Sequence, residues 1–192
     1  GVRPEQILAV TFTNKAASEM RDRIPQLLGT RSEVLASTKP STYYLAPNTS
    51  PFVGTFHSLG VHILRESGLA VGVSRWFAIF DRDDTISLVR KCLKDEGYDP
   101  KQFAPAAVLS VISRAKGSMQ SPEELAEGAG SYFTDAVVKV WRKYEKALAE
   151  QKALDFDDLL VKTVELLRDH EKVRLRYQSQ WRYIHVDEFQ DT

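Results

Sequence analysis

Residues 183–192 read Tyr-Ile-His-Val-Asp-Glu-Phe-Gln-Asp-Thr, and this stretch decides the fold class. The β-prone run that begins at Trp181 ends at two adjacent carboxylates, Asp187 and Glu188. Open α/β sheets bind ligands beyond the carboxyl ends of their parallel strands, which is where such a pair would lie. One carboxylate can hold Mg²⁺ through water, and the other can orient and deprotonate an attacking water, as in a Walker B element. Acidic pairs also begin ordinary solvated loops, so the pair alone leaves both interpretations open.

Two further segments have the same order of strand, loop and helix. The apolar run Ile7–Val10 precedes a helical pattern that Gly29 ends, and Phe52–Thr55 precedes another that Gly68 ends. Short apolar runs of this kind are typical of strands buried in a parallel sheet. The sequence therefore predicts an α/β fold with a parallel sheet.

The segment between these two patterns, residues 30–51, has no helical or strand periodicity. Its three prolines and many hydroxyl side chains favour a position at the surface. We expect a surface excursion in which residues 34–38 and 42–46 pair as a hairpin.

From about Trp76 the pattern changes to helices separated by short turns. Acidic residues open a helix over 81–96, and a second helix over 105–117 begins with proline and ends with glycine. Ser121 begins a capping box, and apolar residues at helical spacing from 133 to 148 predict a long helix with a core-facing stripe. This middle region is therefore predicted to be all-α and inserted into the α/β part.

The acids at Asp155, Asp157 and Asp158 open a further helical pattern. Capping and the helix dipole explain acids at this place, so we favour that interpretation over a metal cluster. Cys92 lies on a predicted helix and is expected to pack in the core.

Composition and charge exclude several classes of protein. The 192 residues carry 26 basic and 26 acidic side chains, so the molecule has no net charge that would attract nucleic acid as a whole. Any nucleic-acid site must therefore depend on a local group of residues. The apolar runs fall far short of the roughly 20 residues that cross a bilayer, and we expect a cytoplasmic protein without membrane contact. One cysteine and four scattered histidines give no disulfide and no zinc-site spacing.

The loop after the first strand carries residues that suit single-stranded DNA. The ring of Phe12 can stack on a base, while Thr11, Thr13 and Asn14 can form hydrogen bonds with phosphates or sugars. Lys15 is a candidate phosphate contact. On its own chemistry, Phe12 could equally be a core residue beside a helix cap.

The loop after the second strand repeats the arrangement. The Thr55 hydroxyl and the His57 imidazole stand at the start of a helix, where phosphate can bind. The other histidines, His62, His170 and His185, receive no functional assignment.

Four ordered segments resemble the UvrD/Rep/PcrA group of superfamily 1 DNA helicases. YIHVDEFQDT is similar to motif II of that group, LAVTFTNKAASEMRDRI (8–24) to motif Ia, GTFHSLGVHILR (54–65) to the next DNA-contacting motif, and LDFDDLL (154–160) to the stretch where the chain re-enters the first motor domain. The helical middle also resembles the inserted subdomain of the group. The resemblance implies a partial RecA-like parallel sheet with an all-α insert: residues 1–74 and 152–192 for the motor domain and 75–151 for the insert.

The group couples hydrolysis of ATP with Mg²⁺ to 3′ to 5′ movement on DNA, which implies single-stranded DNA or DNA with a 3′ tail as the partner. Repair or replication proteins are further possible partners, and a second motor domain would follow in the same polypeptide. By position, Asp187 would serve Mg²⁺ through water, Glu188 would be the general base, and Gln190 would bind nucleotide and couple it to DNA.

The sequence departs from the group in lacking its phosphate-binding loop, Gly-x-x-x-x-Gly-Lys-Thr or Ser. We expect that loop upstream of Gly1 and the second motor domain after Thr192, so residues 1–192 alone are predicted to be inactive. Residues 30–51 also exceed the usual link between the two DNA motifs. Two alternatives remain open: the helicase subunit of a RecB/AddA-type recombination nuclease, or a non-catalytic DNA-binding or interaction module that keeps the fold.

Overall fold

The computed structural model describes residues 2–27, 50–128 and 130–191, and the hairpin predicted within residues 34–46 lies outside them. Short 3-10 segments at Pro4–Gln6, Gly68–Val71 and Phe189–Asp191 accompany the main elements. The strands are β1 (Ile7–Thr11), β2 (Phe52–Thr55), β3 (Ala78–Ile79), β4 (Ala153–Leu154) and β5 (Tyr183–Val186). The helices are α1 (Asn14–Leu27), α2 (Phe56–Ser67), α3 (Arg82–Asp95), α4 (Pro105–Gly117), α5 (Pro122–Glu127), α6 (Tyr132–Glu150), α7 (Phe156–Asp169) and α8 (Glu171–Gln180).

Contacts within the chain define two compact units. Unit 1 comprises Gly1–Leu59 and Glu171–Thr192, and unit 2 comprises Gly60–His170. Unit 2 begins earlier and ends later than the predicted insert, 75–151, because α7 packs within it against α4 and the 3-10 segment Gly68–Val71. The assignment of the remaining segments to a motor domain stays a prediction.

Unit 1 contains the predicted parallel sheet. Strand β1 lies between β2 and β5, and both pairings are parallel. Thr11 is in register with Thr55, and Val10 is in register with Val186. Leu8 and Val10 are buried, as expected for apolar side chains in the central strand. The predicted α/β fold class is confirmed.

The last strand is shorter than the sequence predicts. Strand β5 begins at Tyr183 because the preceding Trp181 packs into the core of unit 1, where its ring stacks on Tyr177 at 5.0 Å between centroids. A third ring, Phe52, lies 6.0 Å from Trp181. The Arg182 amide already pairs with the sheet, since it donates to the Gln6 carbonyl at 2.9 Å.

Unit 2 is largely helical, and its core lies among α3, α4 and α6. Cys92 is buried in that core, which confirms its predicted packing role. The apolar stripe of α6 is buried except at its first residue, Phe133, which is 36% exposed and stacks on Phe103 at 5.9 Å. The buried members of the α6 stripe are Val137, Val140, Trp141, Tyr144 and Leu148.

Among the described residues, each helix is too short or too polar to span a membrane.

The predicted helix starts of unit 2 are confirmed by their caps. Asp81, Ser121 and Asp155 each accept a hydrogen bond from a backbone N–H in the first turn of α3, α5 and α7 respectively. In all three, the side chain of the third helix residue accepts a hydrogen bond from the backbone N–H of the cap. These reciprocal bonds satisfy N–H groups that the helix itself leaves without partners.

One buried lysine joins three helices of unit 2. The Lys116 ammonium at the end of α4 is 4% exposed and lies 2.7 Å from a Glu145 oxygen on α6. It also donates to Asp155 at 2.9 Å and to Asp158 at 2.8 Å. The Tyr144 hydroxyl donates to the same Asp155 oxygen at 2.9 Å. Capping explains Asp155 and Asp158 only in part, because both also bind this lysine.

Three carboxylates around one ammonium leave an excess of negative charge. Burial lowers the pKa of Lys116, but the carboxylates outweigh that effect and raise it overall. Burial also raises the pKa of Asp158 to about 7, because desolvation and the neighbouring acids outweigh the attraction of Lys116. The Lys116 cluster consists of Lys116, Glu145, Asp155 and Asp158, and the raised pKa makes Asp158 its member that titrates near neutral pH.

Candidate functional site

The three predicted site loops lie at one edge of the unit 1 sheet. Because β1, β2 and β5 are parallel, their carboxyl ends face the same side. The Phe12 loop follows β1, helix α2 follows β2 at Phe56, and the acidic pair follows β5. The Asp187 amide donates to the Val10 carbonyl at 2.9 Å, so the acidic pair begins directly beside the end of the central strand.

The acidic pair is open to solvent. Asp187 and Glu188 are both exposed, and among the described residues the Asp187 carboxylate has no hydrogen-bond or ion-pair partner. The Gln190 side-chain amide donates to the Glu188 carboxylate. Glu188 and Gln190, both predicted to act on nucleotide, are therefore in direct contact, while the Asp187 carboxylate is open to a ligand.

Glu188 has an uncommon backbone conformation. Its φ of 53° lies in the left-handed region, which costs an L-residue roughly 1–2 kcal/mol. The short 3-10 segment Phe189–Asp191 follows immediately. The side chain of Gln190, which belongs to that segment, contacts the Glu188 carboxylate.

The Phe12 loop combines an exposed ring with a fixed helix start. Phe12 is 42% exposed, and its ring lies 5.2 Å from that of Phe56 at an interplanar angle of 56°. The Thr13 hydroxyl accepts from the Ala16 amide at 3.1 Å and so caps α1. Asn14 is exposed, whereas Thr11 is buried at 1% exposure and belongs to the sheet rather than to the loop surface. Phe12 is therefore only partly buried, and its role toward DNA stays a prediction.

Lys15 and His57 complete the DNA-facing residues predicted from the sequence. Lys15 is exposed on the first turn of α1. His57 is half-buried on the first turn of α2. Both therefore stand at the helix starts that follow adjacent strands, and their role toward DNA stays a prediction.

Thr55 is held by a residue that the sequence did not indicate. Its hydroxyl accepts from the Ser58 amide at 3.2 Å, and the Ser58 hydroxyl accepts from the Thr55 amide at 2.7 Å. Thr55 itself is 7% exposed. A further unpredicted contact is that of Arg21, whose guanidinium on α1 donates to the Val53 carbonyl at 3.1 Å and ties this helix to β2. Thr-x-x-Ser at a helix start is a recognisable capping pattern, whereas an arginine on an exposed face gives no such signal.

The residues around the acidic pair fit a magnesium ion with few protein ligands. The residues that the structure describes contain no group of three or more His, Cys, Asp or Glu that could enclose a metal. Mg²⁺ in nucleotide sites is usually bound by one or two carboxylates, water and substrate phosphates. The open carboxylate of Asp187 meets that requirement, and Glu188 is engaged with Gln190 instead.

Comparisons with known proteins show the family of the chain. The family model described as the UvrD/REP helicase N-terminal domain matches residues 1–192. The chain is 39% identical to the ATP-dependent DNA helicase PcrA of Bacillus subtilis over 191 residues, 40% identical to PcrA of Leuconostoc citreum and 37% identical to PcrA of Staphylococcus aureus. Each alignment covers 100% of this chain and 24% of the relative, so the chain spans about a quarter of the length of these proteins. The chain belongs to the UvrD/REP helicase N-terminal domain family.

Proposed function

We propose that this chain is part of the first motor domain of an ATP-dependent DNA helicase that moves 3′ to 5′ on single-stranded DNA in the cytoplasm. One observation carries the proposal: the acidic pair and the Phe12 loop meet at the end of β1, where the Asp187 amide bonds to the Val10 carbonyl. A nucleotide site and a DNA site built on one central strand can influence each other through that strand. The resemblance to PcrA helicases supports the same conclusion.

On the nucleotide side, each residue has a separate task. Asp187 would hold Mg²⁺ through water, and the ion would neutralise charge on the phosphate oxygens. Glu188 would accept the proton of the attacking water. The Gln190 amide occupies one oxygen of Glu188, so the carboxylate is oriented and its other oxygen is left to receive that proton.

On the DNA side, the exposed face of Phe12 would stack on a base. Thr13, Asn14 and Lys15 would contact phosphate or sugar at the start of α1. Because the Thr13 hydroxyl accepts a capping bond, it remains able to donate to a phosphate oxygen.

At the second loop, His57 would supply the direct contact. The buried Thr55 would act mainly by holding the start of α2 in place, since its hydroxyl is engaged by Ser58.

The nucleotide assignment is tested in the full-length helicase that carries this segment. Glu188→Gln should leave binding of ATP with Mg²⁺ largely intact and lower turnover by about a hundredfold or more, because it removes a proton acceptor only. Asp187→Ala should weaken the metal-dependent binding as well. Residues 1–192 alone serve as the negative control, because they contain no phosphate-loop sequence. Undiminished turnover in both variants would refute the assignment.

The DNA assignment is tested on the chain itself with labelled oligothymidine. Phe12→Ala should cost roughly 1–3 kcal/mol of affinity with little change in salt dependence, because it removes stacking and no charge. Lys15→Ala should lower the slope of log affinity against log salt by about 0.7, the value for one phosphate of a single strand. Phe12→Tyr is the matched control, since it keeps the ring. If Phe12→Ala lowers thermal stability and leaves DNA affinity unchanged, Phe12 is a packing residue. Unwinding of duplexes with 3′ or 5′ tails by the full-length protein checks the direction of movement.

A further inference from the structure

Unit 2 carries one strongly exposed tryptophan. Trp76 is 80% exposed, whereas Trp141 and Trp181 are 2% and 6% exposed. The Arg75 guanidinium lies 5.0 Å from the centroid of the Trp76 ring. A large aromatic surface left in water is costly for a folded protein, and with a cation on one face it is suited to stacking against a flat partner on the other.

A cleft within unit 2 is lined by Ser74 and Phe77, the residues that flank Arg75 and Trp76 in the chain. The cleft has a volume of about 680 Å³, and its lining includes Leu69, Phe77 and Lys152. Leu69 at its rim is 75% exposed. The Lys152 carbonyl accepts from the Ala78 amide at 3.0 Å, so the pairing of β3 with β4 sets Lys152 beside the segment that carries Trp76.

Several acids of this region lie in ion pairs. Glu145 and Asp158, which line the cleft, bind the buried Lys116. Glu165 pairs with Lys162 at 2.9 Å, and Glu150 lies 3.9 Å from Lys146.

Three cations of the region lie outside these ion pairs. Among the described residues, no carboxylate forms an ion pair with Arg65, Arg75 or Lys152. These unpaired cations and the exposed ring of Trp76 together complement a polyanion with flat apolar groups.

We propose that Trp76, Arg75 and Lys152 form a second binding platform for single-stranded DNA, one that lies on the helical unit. A base stacks on the open face of Trp76, and the two cations contact the flanking phosphates. The proposal rests on the proposed function, because that function makes single-stranded DNA the substrate of the protein.

The tryptophan fluorescence of the 192-residue chain tests this platform directly. Because Trp76 is the exposed tryptophan, its emission should be quenched when oligothymidine binds, and Trp76→Phe should abolish the quenching. An abasic strand of equal length should bind more weakly and quench little, because it offers phosphates without bases. Equal quenching by both strands would refute stacking. Quenching by polyglutamate and not by oligothymidine would show that the surface binds an acidic protein segment instead.

Binding measurements with labelled oligothymidine give the contribution of Trp76 to the affinity. Trp76→Ala should weaken affinity roughly 5- to 150-fold, which corresponds to the 1–3 kcal/mol of one stacked base. Trp76→Phe should retain most of the affinity. Lys152→Ala should lower the salt slope by about 0.7. Leu69→Ala is the matched control, because it removes an equally exposed apolar side chain without an aromatic face, and a loss as large as that of Trp76→Ala would refute the platform.

The outcomes separate this proposal from the preceding one. If Phe12→Ala weakens binding and Trp76→Ala does not, the platform is wrong and the proposed function stands. If Trp76→Ala weakens binding and Phe12→Ala does not, the platform stands and the assignment of the Phe12 loop fails. If the wild-type chain binds no oligothymidine, the platform is wrong.

Discussion

Replacement of Lys116 by methionine should destabilise unit 2 more than any surface substitution. Methionine keeps most of the length and volume of the side chain but removes the charge that three carboxylates share within 2.9 Å. Removing one partner of a buried ion pair typically costs about 3–5 kcal/mol, because the other partner stays buried without compensation. We expect a loss in that range for Lys116→Met.

Trp141 provides the assay for this loss. It is 2% exposed in the core of unit 2, and its indole N–H donates to Glu145 at 2.9 Å, so it lies against the Lys116 cluster. In a background of Trp76→Phe and Trp181→Phe, urea unfolding followed by Trp141 fluorescence reports on unit 2 alone. The matched control is Lys143→Met, because Lys143 pairs with Glu96 at the surface at 3.0 Å. Surface pairs contribute little, so this control should be close to wild type.

The pH dependence distinguishes a charge effect from a packing effect. Without Lys116, the remaining carboxylates should take up protons as pH falls, so the deficit of Lys116→Met should be smaller at about pH 5 than at about pH 7. A deficit that does not change with pH would mean that packing alone is responsible. A loss below about 1 kcal/mol at neutral pH would refute the argument, because it would give the buried cluster no more weight than a surface pair.

Three further predictions concern stability. The raised pKa of Asp158, about 7, means that the folded chain keeps a proton which the unfolded chain releases, so stability should fall as pH rises from about 4 to 7; Asp158→Asn should flatten that dependence in urea midpoints measured across this range. Gly60→Ala would place a Cβ atom 2.6 Å from the Leu159 carbonyl oxygen, and this overpacking should lower the free energy of unfolding in urea by about 1–3 kcal/mol. An unchanged urea midpoint would show that the two backbone segments move apart without loss of stability. Ser58→Ala leaves the Thr55 amide without its 2.7 Å partner and should cost about 1 kcal/mol by calorimetry of the chain, with Ser87→Ala on an exposed face of α3 as the control.

The parallel sheet and its site loops were predictable because they follow from local patterns. Short apolar runs followed by Phe12, Thr55 and Asp187 define strand ends, and parallel strands bring their ends to one edge whatever their order. The order β2-β1-β5 was not predicted, because the residues of a strand do not determine which other strand it pairs with. The short pairing of β3 with β4 was missed for a similar reason, since two residues give no periodicity.

Other features depend on contacts between distant parts of the chain. Helix α8 was not predicted, because its residues Glu171–Gln180 are mostly polar and carry no apolar stripe. Lys116 precedes a helix-ending glycine, where a lysine usually serves the helix dipole in solvent; only the fold brings Glu145 and Asp158 to it. The sequence marks Trp76 only as the place where the pattern changes, since its neighbours in sequence do not indicate whether a tryptophan is exposed.

The reciprocal bonds of Thr55 and Ser58 bear on the entropy of binding. Fixing the backbone of one residue costs about 1–2 kcal/mol, and a loop that becomes ordered on contact with its ligand loses that much for each residue it freezes. The start of α2 is ordered beforehand, because both hydroxyls and both amides of the pair are already engaged. Under the proposed function, this helix start would be a rigid surface for single-stranded DNA, and conformational adjustment would be left to exposed side chains such as Asn14 and Lys15.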